Sequence, residues 1–107
     1  MCGIAGEIAW GRGADLAAVA AMTDRLASRG PDSSGLWVRD GVALGHRRLA
    51  IIDLVTGAQP LASEDGQLQL VVNGELYESD RLREALLARG HTLRSASDSE
   101  VLLHLYQ

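Results

Sequence analysis

Turn signals cut this chain into short pieces. Gly11 to Gly13, Gly30-Pro31, Asp40-Gly41, Asp65-Gly66, Asn73-Gly74 and Gly90 each close one periodic run and open another. The domain therefore has to be assembled from short helices and strands. At 107 residues the chain suits one domain at most, with a modest core. Phe is absent and aromatic residues make up 4% of the chain, so Leu, Val, Ile and Ala must fill that core.

Between the turns, Ile4 to Trp10 reads as a strand. Asp15 caps a helix through Leu16, Val19, Ala20, Met22 and Leu26, which stops at Gly30-Pro31 with Gly30 in the left-handed cap position. Arg29 to Gly35 reads as a loop, and Leu36 to Arg39 and Val42 to Leu49 as two strands joined by the hairpin signal Asp40-Gly41. After a loop over Gly57 to Leu61, Leu68 to Val72 reads as a strand ending at Asn73-Gly74, and Glu75 to Tyr77 as another. Ser79 caps a helix through Leu82, Leu86 and Leu87, Gly90 stops it, and His91 to Arg94 reads as a strand. Ser97-Asp98-Ser99-Glu100 has the Ser-x-x-Glu capping-box form ahead of an apolar run from Val101 to Tyr106. That run still reads as helix at Gln107, the expectation for a piece of a longer domain.

Charge and composition narrow the function. A net charge of -4 with scattered signs provides no basic stripe, which argues against nucleic acid and against an anionic membrane as partners. A small-molecule substrate suits such a chain better. No apolar run approaches transmembrane length and no signal-peptide pattern precedes a cleavage site, so the expected location is cytoplasmic. One cysteine makes no internal disulfide, and three scattered histidines give no zinc spacing, so no metal is indicated.

That one cysteine, Cys2, stands directly behind Met1. Removal of Met1 leaves a thiol and a free α-amine on one α-carbon, a nucleophile and a base already joined. An α-amine titrates near ~8 and a free thiol near ~8.5, so around neutral pH part of the amine is able to take the thiol proton. The plainer reading makes Cys2 a small buried hydrophobe. Three other polar features fall at strand ends or turns. Arg48 offers a planar fork for a carboxylate, or is a half-exposed sheet residue. Asn73-Gly74 reads first as a type I′ hairpin turn, and second as an amide side chain plus a backbone N–H aimed at a developing oxyanion. Asp98 is a first-turn carboxylate favoured by the helix dipole that could also face an ammonium group. His46, His91 and His104 show no partner pattern and read as structural.

Taken in order, Met1-Cys2-Gly3-Ile4-Ala5-Gly6, Arg29 to Gly35 (Arg-Gly-Pro-Asp-Ser-Ser-Gly), His46 to Asp53 (His-Arg-Arg-Leu-Ala-Ile-Ile-Asp), Gly57 to Leu61 (Gly-Ala-Gln-Pro-Leu), Asn73 to Tyr77 (Asn-Gly-Glu-Leu-Tyr) and Ser97 to Val101 form a specific combination. It resembles the N-terminal glutaminase domain of glutamine-hydrolysing asparagine synthases, a class II glutamine amidotransferase of the N-terminal-nucleophile hydrolase superfamily. The resemblance spans nearly the whole chain and implies an α+β fold, part of a four-layer α-β-β-α sandwich of antiparallel sheets. Residues 1–107 would be the N-terminal portion of that domain.

By the same resemblance, Cys2 is the nucleophile and Asn73 and Gly74 form the oxyanion hole. Arg48 holds the α-carboxylate of L-glutamine, Leu49, Ala50, Ile51 and Ile52 line its pocket, and Glu75 and Asp98 meet its amino group. The ammonia released would serve ATP-dependent amidation of aspartate in a synthetase domain, normally in the same chain. This segment needs no cofactor of its own; ATP and magnesium belong to that synthetase domain, whose Ser-Gly-Gly-x-Asp-Ser loop is not in this sequence. Two other readings follow from the same residues: a truncated, non-catalytic piece, and a glutaminase serving another acceptor. One position departs from the family pattern: Glu78 stands where the family usually has Asn.

Overall fold

The computed structural model describes residues 1–49 and 58–107. The expected first strand forms over Gly3–Ile8 (β1), and the helix capped by Asp15 over Leu16–Arg25 (α1). The Asp15 carboxylate accepts from the Ala18 N–H at 3.0 Å, satisfying one of the amide groups that a helix N-terminus leaves without partners. The hairpin at Asp40-Gly41 joins Ser33–Arg39 (β2) to Val42–Arg48 (β3), with Asp40 in the left-handed region at φ 50°. These strands make one antiparallel sheet in the order β1-β3-β2.

Register divides the sheet into two faces. Ala5, Gly45 and Leu36 lie across from one another on one face, and Ile4, His46 and Gly35 on the other. Helix α1 covers the first face, and a side chain at Gly45 would overlap the Thr23 hydroxyl. Val19, Thr23 and Ala43 are buried there, a core of small residues as the lack of Phe requires. Over the second face runs the segment from Gln59 to Val72. It includes a two-stranded antiparallel ribbon, Leu61–Ala62 (β4) with Gln69–Leu70 (β5), turned at Gly66 with φ 71°. The Arg39 guanidinium donates to the Gly66 carbonyl at 3.2 Å, pinning the ribbon to β2.

Helices Ser79–Ala88 (α2) and Asp98–Tyr106 (α3) pack on each other, with Leu86 of α2 and Val101 and Leu103 of α3 buried. Gly90, at φ 91°, ends α2 as expected: its N–H reaches Leu87 O at 3.1 Å and the His91 N–H reaches Leu86 O at 3.1 Å, the paired bonds of a Schellman cap. Ser97 caps α3 by accepting from the Ser99 N–H at 3.2 Å. Glu100 reaches back further than a capping box requires, accepting from the Arg94 and Ser95 N–H groups at 2.6 and 2.8 Å and from the Ser95 hydroxyl. Arg83 of α2 donates to the Ser95 and Ser97 carbonyls at 2.7 and 2.9 Å, so α2 fixes where α3 begins. Three helices and two antiparallel sheets make the described residues α+β, in keeping with a part of the sandwich expected. None of the described helices is long and apolar enough to cross a membrane.

Several local expectations are corrected. Ser33 to Gly35, read as loop, already belong to β2, because β3 continues to Arg48 and supplies their partners. Helix α1 ends at Arg25 with Leu26 as cap, and Gly30 is not left-handed. Glycine suits position 30 for another reason: a Cβ there would overlap the carbonyl group of Arg47. Only Gln69–Leu70 of the run to Val72 is strand. Asn73-Gly74 is not a hairpin turn, and Glu75 to Tyr77 and His91 to Arg94 are not strands. Ser79 is the first residue of α2, and its cap position belongs to Glu78, at φ 59° and ψ 30° with no side-chain capping bond.

Candidate active site

Cys2 precedes β1 by one residue, and the antiparallel register brings it to the end of β3, where Arg48 and Leu49 lie. The Leu49 N–H points at the Cys2 sulfur from 3.3 Å, and the sulfur lies 3.7 Å from the Leu49 carbonyl oxygen. The Arg29 side chain donates to the Cys2 carbonyl at 3.4 Å. The terminus is therefore anchored on three sides, by pairing, by a backbone donor and by the loop after α1. Cys2 is half-buried and Met1 is 70% exposed, so the peptide bond ahead of the cysteine is open to processing.

The adjacent cations Arg47 and Arg48 separate because successive strand residues face opposite ways. Arg47 turns toward the α1 side and donates from Nε to the Gly30 carbonyl at 2.9 Å, closing the Arg29-Gly30-Pro31 loop onto the sheet. Arg48 turns toward the other face and is only 8% exposed. Its carbonyl accepts from the Asp32 N–H at 3.0 Å, extending the same closure. Its burial corrects the half-exposed sheet reading of Arg48, and the residue lines a cavity.

The cavity has a volume of about 310 Å³, at the small end of the usual range for ligand sites. Its walls come from separated pieces of chain: Cys2, then Arg48 and Leu49, then Asn73, Gly74 and Glu75, and finally Asp98 at the start of α3. These are the sequence-derived candidates that fall within the described residues. Ala50, Ile51 and Ile52 lie outside them. Asp98 is oriented by the backbone, its carboxylate accepting from the Leu76 N–H at 2.7 Å, which ties the stretch after Gly74 to α3.

Gln59, Val72, Ser97 and Ser99 also line the cavity; none of them was among the site residues expected from sequence, although Gln59, Ser97 and Ser99 lie in the family motifs. Gln59 had a visible signal, an amide side chain between alanine and proline in a loop otherwise poor in polar groups. His46 is 1% exposed and faces the Val72 carbonyl through Nε2 at 3.2 Å. Burial holds its pKa below the usual imidazole value, aided by the nearby Arg48 charge and opposed by the bond to Val72. A neutral imidazole with its proton on Nε2 satisfies that carbonyl.

An arginine, carboxylates, a thiol and an asparagine side chain thus come together around one small cavity. Over 87 residues the chain is 47% identical to asparagine synthetase [glutamine-hydrolyzing] 3 of Bacillus subtilis (strain 168), covering 79% of this chain and 14% of that protein. It is 48% identical over 87 residues to the probable asparagine synthetase [glutamine-hydrolyzing] of Dictyostelium discoideum, covering 80% of this chain and 16% of that one. The Sandersonia aurantiaca asparagine synthetase [glutamine-hydrolyzing] is 49% identical over 86 residues, with 80% and 16% covered. The chain thus spans a small part of the length of the relatives it matches. The model of the glutamine amidotransferase domain matches residues 1–107, and so takes in every residue on the cavity wall. This chain belongs to the glutamine amidotransferase domain family.

Proposed function

We propose that this chain hydrolyses the side-chain amide of L-glutamine at Cys2 and supplies the ammonia to a synthetase domain of the same protein, for ATP-dependent amidation of aspartate in the cytoplasm. The observation that carries the reading is that Cys2, Arg48, Asn73, Gly74, Glu75 and Asp98 wall one cavity. Support for the acceptor comes from relatives named as glutamine-hydrolysing asparagine synthetases.

In this reading the Arg48 fork pairs with the substrate α-carboxylate, and Asp98 with Glu75 takes its ammonium. With Met1 removed, the α-amine of Cys2 accepts the thiol proton and the sulfur attacks the amide carbon, forming a C–S bond. The carbonyl oxygen becomes an oxyanion, met by the Asn73 side-chain amide and the Gly74 N–H. As the oxyanion collapses, the C–N bond breaks and the proton held by the α-amine passes to the leaving nitrogen, which departs as ammonia. The α-amine then takes a proton from water as it attacks the thioester, and returns that proton to sulfur as glutamate leaves.

The test is steady-state glutamine hydrolysis by the full-length protein and its Cys2→Ala variant, with intact-mass measurement of the active form. Glutamate release should vanish in Cys2→Ala, and the active protein should lack one methionine. Glutamate release at the parental rate by Cys2→Ala, or full activity with Met1 retained, refutes the mechanism.

A further inference from the structure

We propose that Gln59 is a positioning residue for the oxyanion donors, an inference that rests on the glutaminase reading above. Its side-chain Oε1 accepts from the Val72 N–H at 2.7 Å, and its Nε2 lies 3.5 Å from the Ser99 hydroxyl. Its main-chain carbonyl is packed so tightly on β2 that a Cβ at Gly35 would overlap it. One residue therefore joins the sheet, the segment leading into Asn73-Gly74, and the first turn of α3 beside Asp98.

Val72 is held from two directions. Gln59 binds its N–H, while His46 faces its carbonyl at 3.2 Å. These groups flank the Val72 α-carbon, so the peptide plane leading into Asn73 is fixed before the donor turn begins. That fixing is needed because residues 71–76 lie in neither helix nor strand, and Asn73 and Gly74 are exposed. Donors on such a stretch have no regular ladder to hold them, and a site on a loop is only as exact as the groups that anchor it. Gln59 is the anchor whose side chain also reaches α3, so it sets the donor turn relative to the carboxylate at Asp98 as well as to the sheet.

The distinguishing consequence is a loss of rate without a loss of glutamine affinity, since donors aimed at an oxyanion act in the transition state. Gln59→Met keeps length and volume but has neither polar atom. In the full-length protein it should lower kcat for glutamine hydrolysis by about tenfold or more, part of what losing a whole oxyanion donor costs, with KM within about twofold. Gln59→Glu keeps an acceptor for the Val72 N–H and should recover most of kcat. Adding Asn73→Ala to Gln59→Met should cost little beyond Asn73→Ala alone, because both act through one turn. An unchanged kcat, a rise in KM alone, or multiplying losses in the double variant overturns the proposal. If Gln59→Met does not fold, Gln59→Asn, one methylene too short to reach Val72, must show the same fall in kcat. If the unsubstituted protein shows no Cys2-dependent hydrolysis, the glutaminase reading itself fails. The amide resonances of Val72, Asn73 and Gly74 then decide: they should move in Gln59→Met and stay in Gln59→Glu, and unmoved resonances in Gln59→Met overturn the anchoring.

Discussion

Two glycines on opposite faces of the sheet allow packing strain to be separated from damage to the site. A Cβ at Gly35 would overlap the Gln59 carbonyl oxygen and lie 3.0 Å from Pro60 Cδ and 3.1 Å from the Gln59 carbonyl carbon, whereas ordinary contact begins at 3.4 Å. The obstacle is backbone, so no rotamer change relieves it, and Gln59 must retreat by roughly 1 Å in Gly35→Ala. A displacement of that size near reacting groups costs about a hundredfold in rate. The overpacking should cost about 1–3 kcal/mol of stability as well. Gly45→Ala is the control: its Cβ would overlap the Thr23 hydroxyl and lie 3.2 Å from Thr23 Cβ, on the α1 side of the sheet. It should lose similar stability, by about 1–3 kcal/mol, while the folded fraction keeps kcat within a few-fold. The assay is glutamine turnover normalised to folded protein, with stability read from hydrogen exchange of the β3 amides. Equal falls in kcat for the two variants, or a Gly35→Ala protein with unchanged turnover, would refute the argument that Gln59 carries strain from the sheet into the site.

Arg48→Lys replaces a planar fork with a point charge on a buried wall, and should raise KM for glutamine by about tenfold or more with a smaller effect on kcat; an unchanged KM makes Arg48 structural. His46, whose pKa lies below 6.5 through burial, binds fewer protons folded than unfolded. Its contribution is therefore complete above about pH 6.5 and is lost as pH falls below that value toward the lowered one. In His46→Gln, which keeps an N–H donor for Val72, the drop in urea midpoint between pH 7.5 and pH 5 should shrink, and an identical drop would exclude His46 as its source. Glu78→Asn should stabilise the start of α2 by about 0.5 kcal/mol, measured by amide exchange in that helix, since asparagine tolerates the left-handed backbone that glutamate strains to adopt. The exposed Glu78–Arg81 pair at 3.5 Å offsets little of this. A slower-opening helix with Glu78 in place would contradict the strain.

The Asp15 cap, the Asp40-Gly41 hairpin and the Gly90 stop were legible because each is decided by groups within a few residues of itself. Five of the six family motifs likewise hold residues that the fold gathers around one cavity, and the sixth, Arg29 to Gly35, contributes none. The misreadings share one physical cause, backbone groups claimed by partners distant in sequence or by a neighbouring cap. Asn73-Gly74 would be a hairpin turn if the runs on either side paired, but the Val72 N–H and carbonyl are taken by Gln59 and His46, and the Leu76 N–H by Asp98. His91 to Arg94 has strand-forming character, yet its first N–H completes the α2 cap and its last is bound by Glu100. Even Glu78, noted as a departure from the family pattern, revealed its meaning only once its φ of 59° was known.

These diverted backbone hydrogen bonds also give the cavity wall its form. A hairpin at Asn73-Gly74 would have used the flanking backbone groups on each other and held the turn away from β3. Diverting them to Gln59, His46 and Asp98 leaves the turn without a ladder but sets it against the sheet end that carries Cys2 and Arg48. Local regularity is exchanged for position, which is the arrangement expected where donors must meet charge that appears only during reaction. The glycine at 35 belongs to this exchange, since any side chain there would push Gln59 off the sheet and disturb its hold on the Val72 N–H ahead of Asn73-Gly74.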